Sequence, residues 1–240
     1  MLKRKITDTL SAWKASPNRK PIILKGCRQC GKTFAAQHFA HANYQSVVYI
    51  NFFENPGAKD IFAGSLNVDQ ITLMTSAYLG GSARFIPNET VLILDEIQEC
   101  PQARTALKFF CLDGRYDVIA TGSLLGVAGY GEQPASIPVG YETVVDMHPL
   151  DFEEFCWANG LPETAIDLLR NCLNIETPIP AAIHSRMRSL LLEYAVVGGM
   201  PDAVQTFVDS RDMSSVLRIQ RDIVRAYEDD MVKYAPTADK

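Results

Sequence analysis

The sequence has no long apolar segment and no excess of positive charge. No run approaches 18 consecutive apolar residues, so we expect no transmembrane helix. The positive charges of residues 1–14 are not followed by an apolar stretch of signal-peptide length, and we therefore expect a cytoplasmic protein with no membrane partner. A net charge of -5 argues against a generally basic nucleic-acid-binding protein, although it leaves room for a local basic patch.

A second pair of closely spaced cysteines is also missing. The chain has six cysteines, and only Cys27 and Cys30 stand at C-x-x-C spacing. A zinc site would need another pair of ligands at short spacing, and the four histidines are scattered along the sequence. His38 and His41 share a predicted helical face near Cys30, but a metal site there is disfavoured because the cysteine pair has a better explanation. Without a signal peptide, the thiols are expected to be reduced.

The sequence does contain an alternation of strand-like apolar runs with helix-like segments. The strand-like runs are residues 21–26, 46–54, 90–98, 116–123 and 141–150. Such an alternation predicts an α/β fold with a parallel sheet. From about residue 150 only helical patterns follow. We therefore predict an α/β core over residues 1–150, beginning with a short helix, and a helical extension over residues 151–240.

Helical periodicity and turn residues predict further details. Residues 4–15 place Ile6, Leu10 and Trp13 on one helical face, and residues 68–79 are expected to form a helix capped by Asp69. In the C-terminal part, one predicted helix face carries Met187, Leu190, Leu191 and Tyr194. The Gly-Gly pair of "VGGMP", residues 197–201, predicts a turn with a new helix starting at the proline.

The segment "GCRQCGKT", residues 26–33, matches the pattern G-x-x-x-x-G-K-T between a predicted strand and a predicted helix. Glycines let backbone N–H groups point at phosphate oxygens, a lysine reaches the terminal phosphates, and a hydroxyl binds Mg²⁺. The N-terminus of the following helix favours anions. We therefore predict a phosphate-binding loop, and the C-x-x-C spacing within it is incidental. The predicted nucleotide-binding residues are Gly26, Cys27, Arg28, Gln29, Cys30, Gly31, Lys32, Thr33 and Phe34.

Two other strand ends carry polar residues that suit the same site. The run "VLILDE" ends in Asp95, expected to hold Mg²⁺ opposite Thr33, and in Glu96, placed to polarise the attacking water. The alternative is that both carboxylates only cap the following helix. In "ATGS", Thr121 and Ser123 end the next buried run, where a contact to the γ-phosphate or to the water is expected. The alternative there is a helix cap or a turn.

In this order and spacing, the motifs resemble those of AAA-type P-loop ATPases. The strand-like run between phosphate loop and acidic strand fits the branch with an added strand and a catalytic glutamate. More narrowly, the chain looks like the prokaryotic ATPases in which an AAA-type core precedes a C-terminal domain of unknown function. The segments that carry the resemblance are "GCRQCGKT", "INFFE", "VLILDEIQ", "YDVIATGS", "HPLDFEEF", "VGGMP" and "RAYEDDMVKYA", which span nearly the whole chain.

The resemblance implies a five-stranded parallel sheet of order 5-1-4-3-2 flanked by helices, followed by an α-helical lid. It implies ATP and Mg²⁺ as ligands. It also implies that Lys32, Thr33, Asp95 and Glu96 bind the phosphates, bind the magnesium ion and activate the water. Thr121 or Ser123 would act as sensor. It also implies a further C-terminal domain, often described as nuclease-like, beyond residue 240.

One departure from the family pattern concerns arginine. AAA ATPases commonly take an arginine from a neighbouring subunit to stabilise transition-state charge, which implies a homo-oligomer. Some relatives have this arginine near the last strand, where this chain has Gly140 and Tyr141. Other candidates are Arg104, Arg115, Arg186 and Arg188.

Three functions follow from these residues. The first is an Mg²⁺-dependent ATP hydrolase whose turnover drives a conformational switch. The second is an ATP-gated interaction module for DNA or a protein client, with negligible turnover. The third, a small-molecule kinase, is disfavoured because the paired Asp95 and Glu96 suit water activation better and the lid-like region lacks a tight arginine cluster. Adenine follows from the resemblance and from the lack of an N-K-x-D guanine-binding motif.

Overall fold

Aliphatic and β-branched runs form the five strands of one sheet in the first part of the chain. The structure is a computed structural model that describes residues 2–123 and 139–234, so the last residue of "RAYEDDMVKYA" lies outside it. The strands are β1 (Ile22–Gly26), β2 (Ser46–Asn51), β3 (Thr90–Asp95), β4 (Asp117–Ser123) and β5 (Thr143–Met147). All pair in parallel in the order β2-β3-β4-β1-β5, which confirms the predicted order.

Several strands are shorter than predicted, and β3 shows why. It ends at Asp95 because the next residue, Glu96, has a positive φ of 54° and turns the chain away from the sheet. A short 3₁₀ helix, Ile97–Glu99, follows. Every residue of β3 is buried, as expected for a central parallel strand covered on both faces.

Helices cover the two faces of the sheet. They are α1 (Ile6–Ala15), α2 (Lys32–Asn43), α3 (Val68–Leu79) and α4 (Pro101–Asp113), with 3₁₀ helices at Pro56–Phe62 and Gly80–Ser82. The predicted face of α1 is confirmed, since Ile6, Leu10 and Trp13 are all buried. They pack with α2 on one face of the sheet, whereas α3 and α4 contribute to the core on the other face.

The predicted cap of α3 was wrong by two residues. Asn67 has extended backbone angles just before the helix, and its side-chain Oδ1 accepts a hydrogen bond from the Asp69 N–H at 2.8 Å. Asp69 instead lies in the first turn, where a negative charge is favourable to the helix dipole. The prediction failed because asparagine and aspartate are both good caps and two positions were available.

The contacts divide the chain into two compact units. One is Ile6–Met147, and the other combines the first five residues with those from His148 onward. The helices of the second unit are α5 (Phe152–Ala158), α6 (Glu163–Asn174), α7 (Ala181–Val197), α8 (Pro201–Ser210) and α9 (Met213–Tyr234). The first residues join this unit because the Lys5 N–H donates to Glu154 Oε1 at 2.7 Å, and Arg4 pairs with the same carboxylate at 3.2 Å.

The predicted apolar face of α7 was partly wrong. Leu190 is fully buried, and Met187 and Tyr194 pack against the same core cluster. Leu191, however, is 53% exposed. Adjacent residues are about 100° apart around a helix, so two consecutive leucines cannot both point at a narrow core.

Two motifs of the resemblance meet within the helical unit. The Leu150 N–H of "HPLDFEEF" donates to the Gly199 carbonyl of "VGGMP" at 2.7 Å. A Cβ added at Gly199 would lie 2.1 Å from the Leu150 carbonyl oxygen, so only glycine fits there. The Tyr194 hydroxyl donates to that same oxygen at 2.8 Å. The predicted turn is confirmed, and α8 begins at Pro201.

Candidate functional site

The phosphate-binding loop predicted from the sequence connects β1 to α2. β1 ends at Gly26 and α2 begins at Lys32. Two residues of the loop have positive φ, Gln29 at 62° and Gly31 at 93°. Such left-handed residues turn successive N–H groups toward one side, which forms a concave binding surface for an anion. Gln29 is not a glycine, so nothing in the sequence indicated that this residue of the loop has a positive φ.

The first glycine of the loop is required by the neighbouring strand. Gly26 is paired with Met147 of β5, and a Cβ at Gly26 would lie 2.1 Å from the Met147 carbonyl oxygen. The Cys30 thiol is fully buried and donates to this carbonyl at an Sγ–O distance of 3.5 Å. Cys30 therefore fills space between the loop and the sheet, which gives it a packing role within the motif.

The lysine of the loop lies across the loop itself. Its Nζ donates to the carbonyl oxygens of Gly26, at 3.1 Å, and of Cys27, at 2.7 Å. Lys32 is only 6% exposed, and a buried ammonium group needs acceptors of this kind. The ammonium group is thereby held at the carboxyl end of β1.

Asp95 accepts hydrogen bonds from several elements at once. Thr33 Oγ1, in the first turn of α2, lies 2.9 Å and 3.1 Å from its two oxygens. The Tyr49 hydroxyl donates to Oδ2 at 2.7 Å, and Asn51 Nδ2 donates to the same oxygen at 3.2 Å. Thr121 Oγ1, near the end of β4, donates to Oδ1. The carboxylate is 2% exposed, so this network fixes its orientation.

Tyr49 and Asn51 were missed as site residues by sequence reasoning. They end β2, where Asn51 stands beside Asp95 in the strand register. Burial and the hydrogen bond to Asp95 raise the pKa of the Tyr49 hydroxyl, so it remains a donor at neutral pH. The only signal in the sequence was the segment "INFFE", which contains Asn51 but gives no role for it.

Glu96 and Gln98 lie together just beyond the end of β3. The Gln98 amide Nε2 donates to Glu96 Oε2, and the Glu96 N–H donates to Thr121 Oγ1 at 3.5 Å. Ile97, between them, is buried in the core. The positive φ of Glu96 thus places the side chains of Glu96 and Gln98 at the edge of the sheet.

A cavity of about 300 Å³ lies at this edge. It is lined by Arg28, Thr33, Tyr49, Asn51, Phe53, Glu54, Asp95, Glu96, Gln98 and Glu99. The lining combines predicted site residues from the loop and from β3 with residues from β2 that were not predicted.

Of the predicted site residues, Arg28, Thr33, Asp95 and Glu96 line this cavity, and the others do not. Two of these others have different surroundings. Ser123 is buried and pairs with Gly26 in the register of β4 and β1. Phe34 is 60% exposed, and its ring stacks on that of His38 with the centroids 6.0 Å apart.

Three of the four candidate arginines, Arg104, Arg115 and Arg186, have local partners. Arg104 forms an ion pair with Glu142 at 2.7 Å, and both side chains are largely buried. Arg115 pairs with Asp113 and with Asp69. In the helical unit, Arg186 Nη2 donates to the Asn159 carbonyl at 3.4 Å. These contacts hold the guanidinium groups within their own units.

Comparison with known families agrees with this geometry. Residues 18–156, more than half of the chain, match the AAA domain family. The chain belongs to this family. Residues 188–240 match a domain of unknown function, DUF8612. No curated protein matches the chain.

This AAA protein is similar to several solved structures. A RuvB variant from Thermotoga maritima is 13% identical with a TM-score of 0.51, over 90% of this chain and 64% of that one. Drosophila ORC, solved bound to DNA, is 13% identical with a TM-score of 0.47, over 91% of this chain and 66% of that one. PCH-2 from C. elegans is 12% identical with a TM-score of 0.45, over 87% and 63%. The AAA protein therefore spans less than two thirds of the length of these chains, and the likeness concerns the fold alone.

Among the helices that the structure describes, none combines the length and the apolar composition of a membrane span.

Proposed function

We propose that this AAA domain binds ATP together with Mg²⁺ and hydrolyses ATP to ADP and phosphate. Family membership supports nucleotide binding, and one observation supports the more specific reaction. A buried lysine, a threonine hydroxyl and a fixed carboxylate converge at the carboxyl ends of β1 and β3, namely Lys32, Thr33 and Asp95. Ligands of open α/β sheets bind at this edge.

The donor set fits the proposed ligands. Hard oxygen atoms from one or two carboxylates, together with substrate phosphates, are the ligands that Mg²⁺ prefers. Thr33 Oγ1 and the Asp95 carboxylate are such atoms and already lie within 3.1 Å of each other. Bound Mg²⁺ would supply positive charge to the phosphate oxygens. Lys32 Nζ, which now donates to loop carbonyls, would exchange these acceptors for phosphate oxygens.

Glu96 is the proposed general base. In the reaction, the oxygen of a water molecule forms a bond to the γ-phosphorus while Glu96 takes up a proton from the water. The bond from the γ-phosphorus to the bridging oxygen breaks, and its electron pair leaves with ADP. The proton then passes from Glu96 to the products, which restores the carboxylate.

The same network supports a local conformational switch. Thr121 Oγ1 donates to Asp95 and accepts from the Glu96 N–H, so it connects the proposed metal ligand to the proposed base. Asp95 cannot bind a metal ion and keep all its present donors, because its oxygens would have to share their lone pairs. Ligand binding at Asp95 is therefore expected to release Thr121 and so to change its hydrogen bond with the Glu96 N–H.

The test is phosphate release from Mg-ATP by the purified chain, with ATP binding measured on the same samples. Lys32→Ala is expected to abolish both binding and release, because the cation for the phosphates is lost. Glu96→Gln is expected to retain binding and to lower turnover at least about 100-fold, the range of general-base catalysis. Glu89→Gln is the matched control, since Glu89 is exposed and lies one residue before β3. Parental turnover in Glu96→Gln would refute the assignment of the base.

A second function is favoured by the arginine contacts. Arg104 is held in a buried ion pair with Glu142, so it is poorly placed to complete a neighbour's site. We therefore keep an ATP-gated interaction module for a protein or DNA client as the alternative. Tight Mg-ATP binding without phosphate release would support the module over the hydrolase. A cytoplasmic location, a homo-oligomer and a domain boundary near residue 150 stay proposals.

A further inference from the structure

The turn after β3 places a glutamine beside the proposed base. Gln98 Nε2 donates to Glu96 Oε2, and both side chains line the cavity that Thr33 and Asp95 also line. Ile97 is buried between them and anchors the turn in the core, so both side chains are attached to a rigid support. Rigid support of this kind is what a precise catalytic arrangement requires.

The other end of the same amide has no protein partner among the residues that the structure describes. A carboxylate can only accept, so the amide nitrogen must face Glu96 and the oxygen Oε1 must point elsewhere. Gln98 Oε1 is buried, and within residues 2–123 and 139–234 no donor contacts it. Buried acceptors nearly always have a donor, so an isolated one beside a proposed base indicates a ligand-dependent partner.

We propose that Gln98 is a positioning residue for hydrolysis, acting on both Glu96 and the attacking water. Its amide N–H holds the Glu96 carboxylate in place. Its Oε1, which is buried in this structure, accepts a hydrogen bond from the water once ligand binding makes it accessible. The water then gives one hydrogen to Gln98 as a hydrogen bond and the other to Glu96 as a proton. This leaves the oxygen lone pair directed at the γ-phosphorus. The inference rests on the proposed hydrolysis and adds a residue to it.

The test compares Gln98→Ala and Gln98→Glu with the parent chain. Gln98→Glu keeps the size and one acceptor oxygen but replaces the N–H donor with an oxygen that repels Glu96. Both variants are expected to lower kcat about tenfold or more, while the Kd for Mg-ATP stays within about twofold. Gln102→Ala is the matched control, because Gln102 is an exposed glutamine on α4 in the same segment. It is expected to keep the parental kcat.

A positioning role and a structural role give different results. If Gln98 acts through Glu96, Gln98→Ala should cause little further loss in a chain that already carries Glu96→Gln. Thermal unfolding of each variant shows whether the chain still folds, and Gln98→Glu preserves the packing where Gln98→Ala does not. Parental kcat in Gln98→Glu, or full additivity in the double variant, would overturn the inference and leave the proposed hydrolysis intact. Absence of turnover in the parent chain would overturn both.

Discussion

At the scale of single residues, Asp95 shows how the site is held before any ligand binds. Side chains from α2, β2 and β4 donate to its carboxylate, which is 2% exposed. Donors on both oxygens fix the direction of the carboxylate without giving it a counter-charge. A metal ligand held in this way is already oriented when the ion arrives, and only the donors that compete for its lone pairs have to move.

Tyr49→Phe tests the contribution of this support. The change removes the 2.7 Å hydrogen bond to Asp95 Oδ2 and leaves the ring in place. We expect the Mg²⁺ concentration for half-maximal turnover to rise about tenfold, which is the lower end of the range for losing a group that supports a metal ligand. The kcat at saturating Mg²⁺ should change little. Tyr78→Phe is the control, since Tyr78 is 48% exposed. An unchanged Mg²⁺ requirement would show that Asp95 is oriented by its other donors alone.

The raised pKa of Tyr49 gives a prediction for stability against pH. Burial is the largest cause of the shift, and the hydrogen bond to Asp95 adds to it. The folded state favours the neutral phenol, so its contribution is fully present below the unfolded pKa of about 10 and is lost as the pH rises through the folded value. We therefore expect the difference in free energy of unfolding between parent and Tyr49→Phe to be constant from pH 6 to 9. It should shrink at higher pH, as measured by urea unfolding, and a difference that grew there would contradict the prediction.

At the scale of elements, backbone contacts explain motifs that carry no chemistry of their own. Gly199, the second glycine of "VGGMP", lets the chain after α7 approach the segment before α5. The Leu150 N–H there donates to the Gly199 carbonyl. The first glycine of the phosphate loop has the same function beside β5. In both places a side chain would collide with a carbonyl group that belongs to another element.

Gly199→Ala is expected to destabilise the helical unit. The added Cβ would lie 2.1 Å from the Leu150 carbonyl oxygen, and the backbone would have to move. Overpacking of this kind costs about 3 kcal/mol at the upper end of the usual range. Gly64→Ala is the control, since an added Cβ there meets nothing within 4 Å. Chemical unfolding followed by circular dichroism checks both, and equal stability of the two variants would be inconsistent with a required glycine.

At the scale of the whole molecule, the candidate site belongs to one of the two compact units. All residues that line the cavity lie within Ile6–Met147. A ligand that binds only the folded form stabilises it by mass action, by about 2.7 kcal/mol at 100 times its Kd. That stabilisation acts on the unit that contains the binding site.

Mg-ATP is therefore expected to raise the unfolding temperature of this unit. For a domain of this size, about 2.7 kcal/mol corresponds to a rise of roughly 5–10 °C. Lys32→Ala should remove the rise, because its ammonium group is the proposed phosphate ligand. Differential scanning calorimetry with and without Mg-ATP measures it, and a similar rise in Lys32→Ala would show that the nucleotide binds elsewhere.

The sequence alone was enough to predict the fold class, the strand order through a family resemblance, and the candidate residues Lys32, Thr33, Asp95 and Glu96. Each belongs to a short motif whose chemistry depends on local spacing, and buried parallel strands give continuous apolar runs that are easy to recognise. The roles of these residues stay predictions.

Only the tertiary structure decided which other side chains support the motifs. Tyr49 and Asn51 contact Asp95 because β2 pairs with β3. The register of this pairing cannot be predicted from the sequence of either strand alone. Gln98 stands beside Glu96 because the positive φ of Glu96 turns the chain. A positive φ is uncommon for a glutamate, so the sequence does not predict it. Contacts between distant segments depend on how the whole chain packs, which local sequence patterns do not encode.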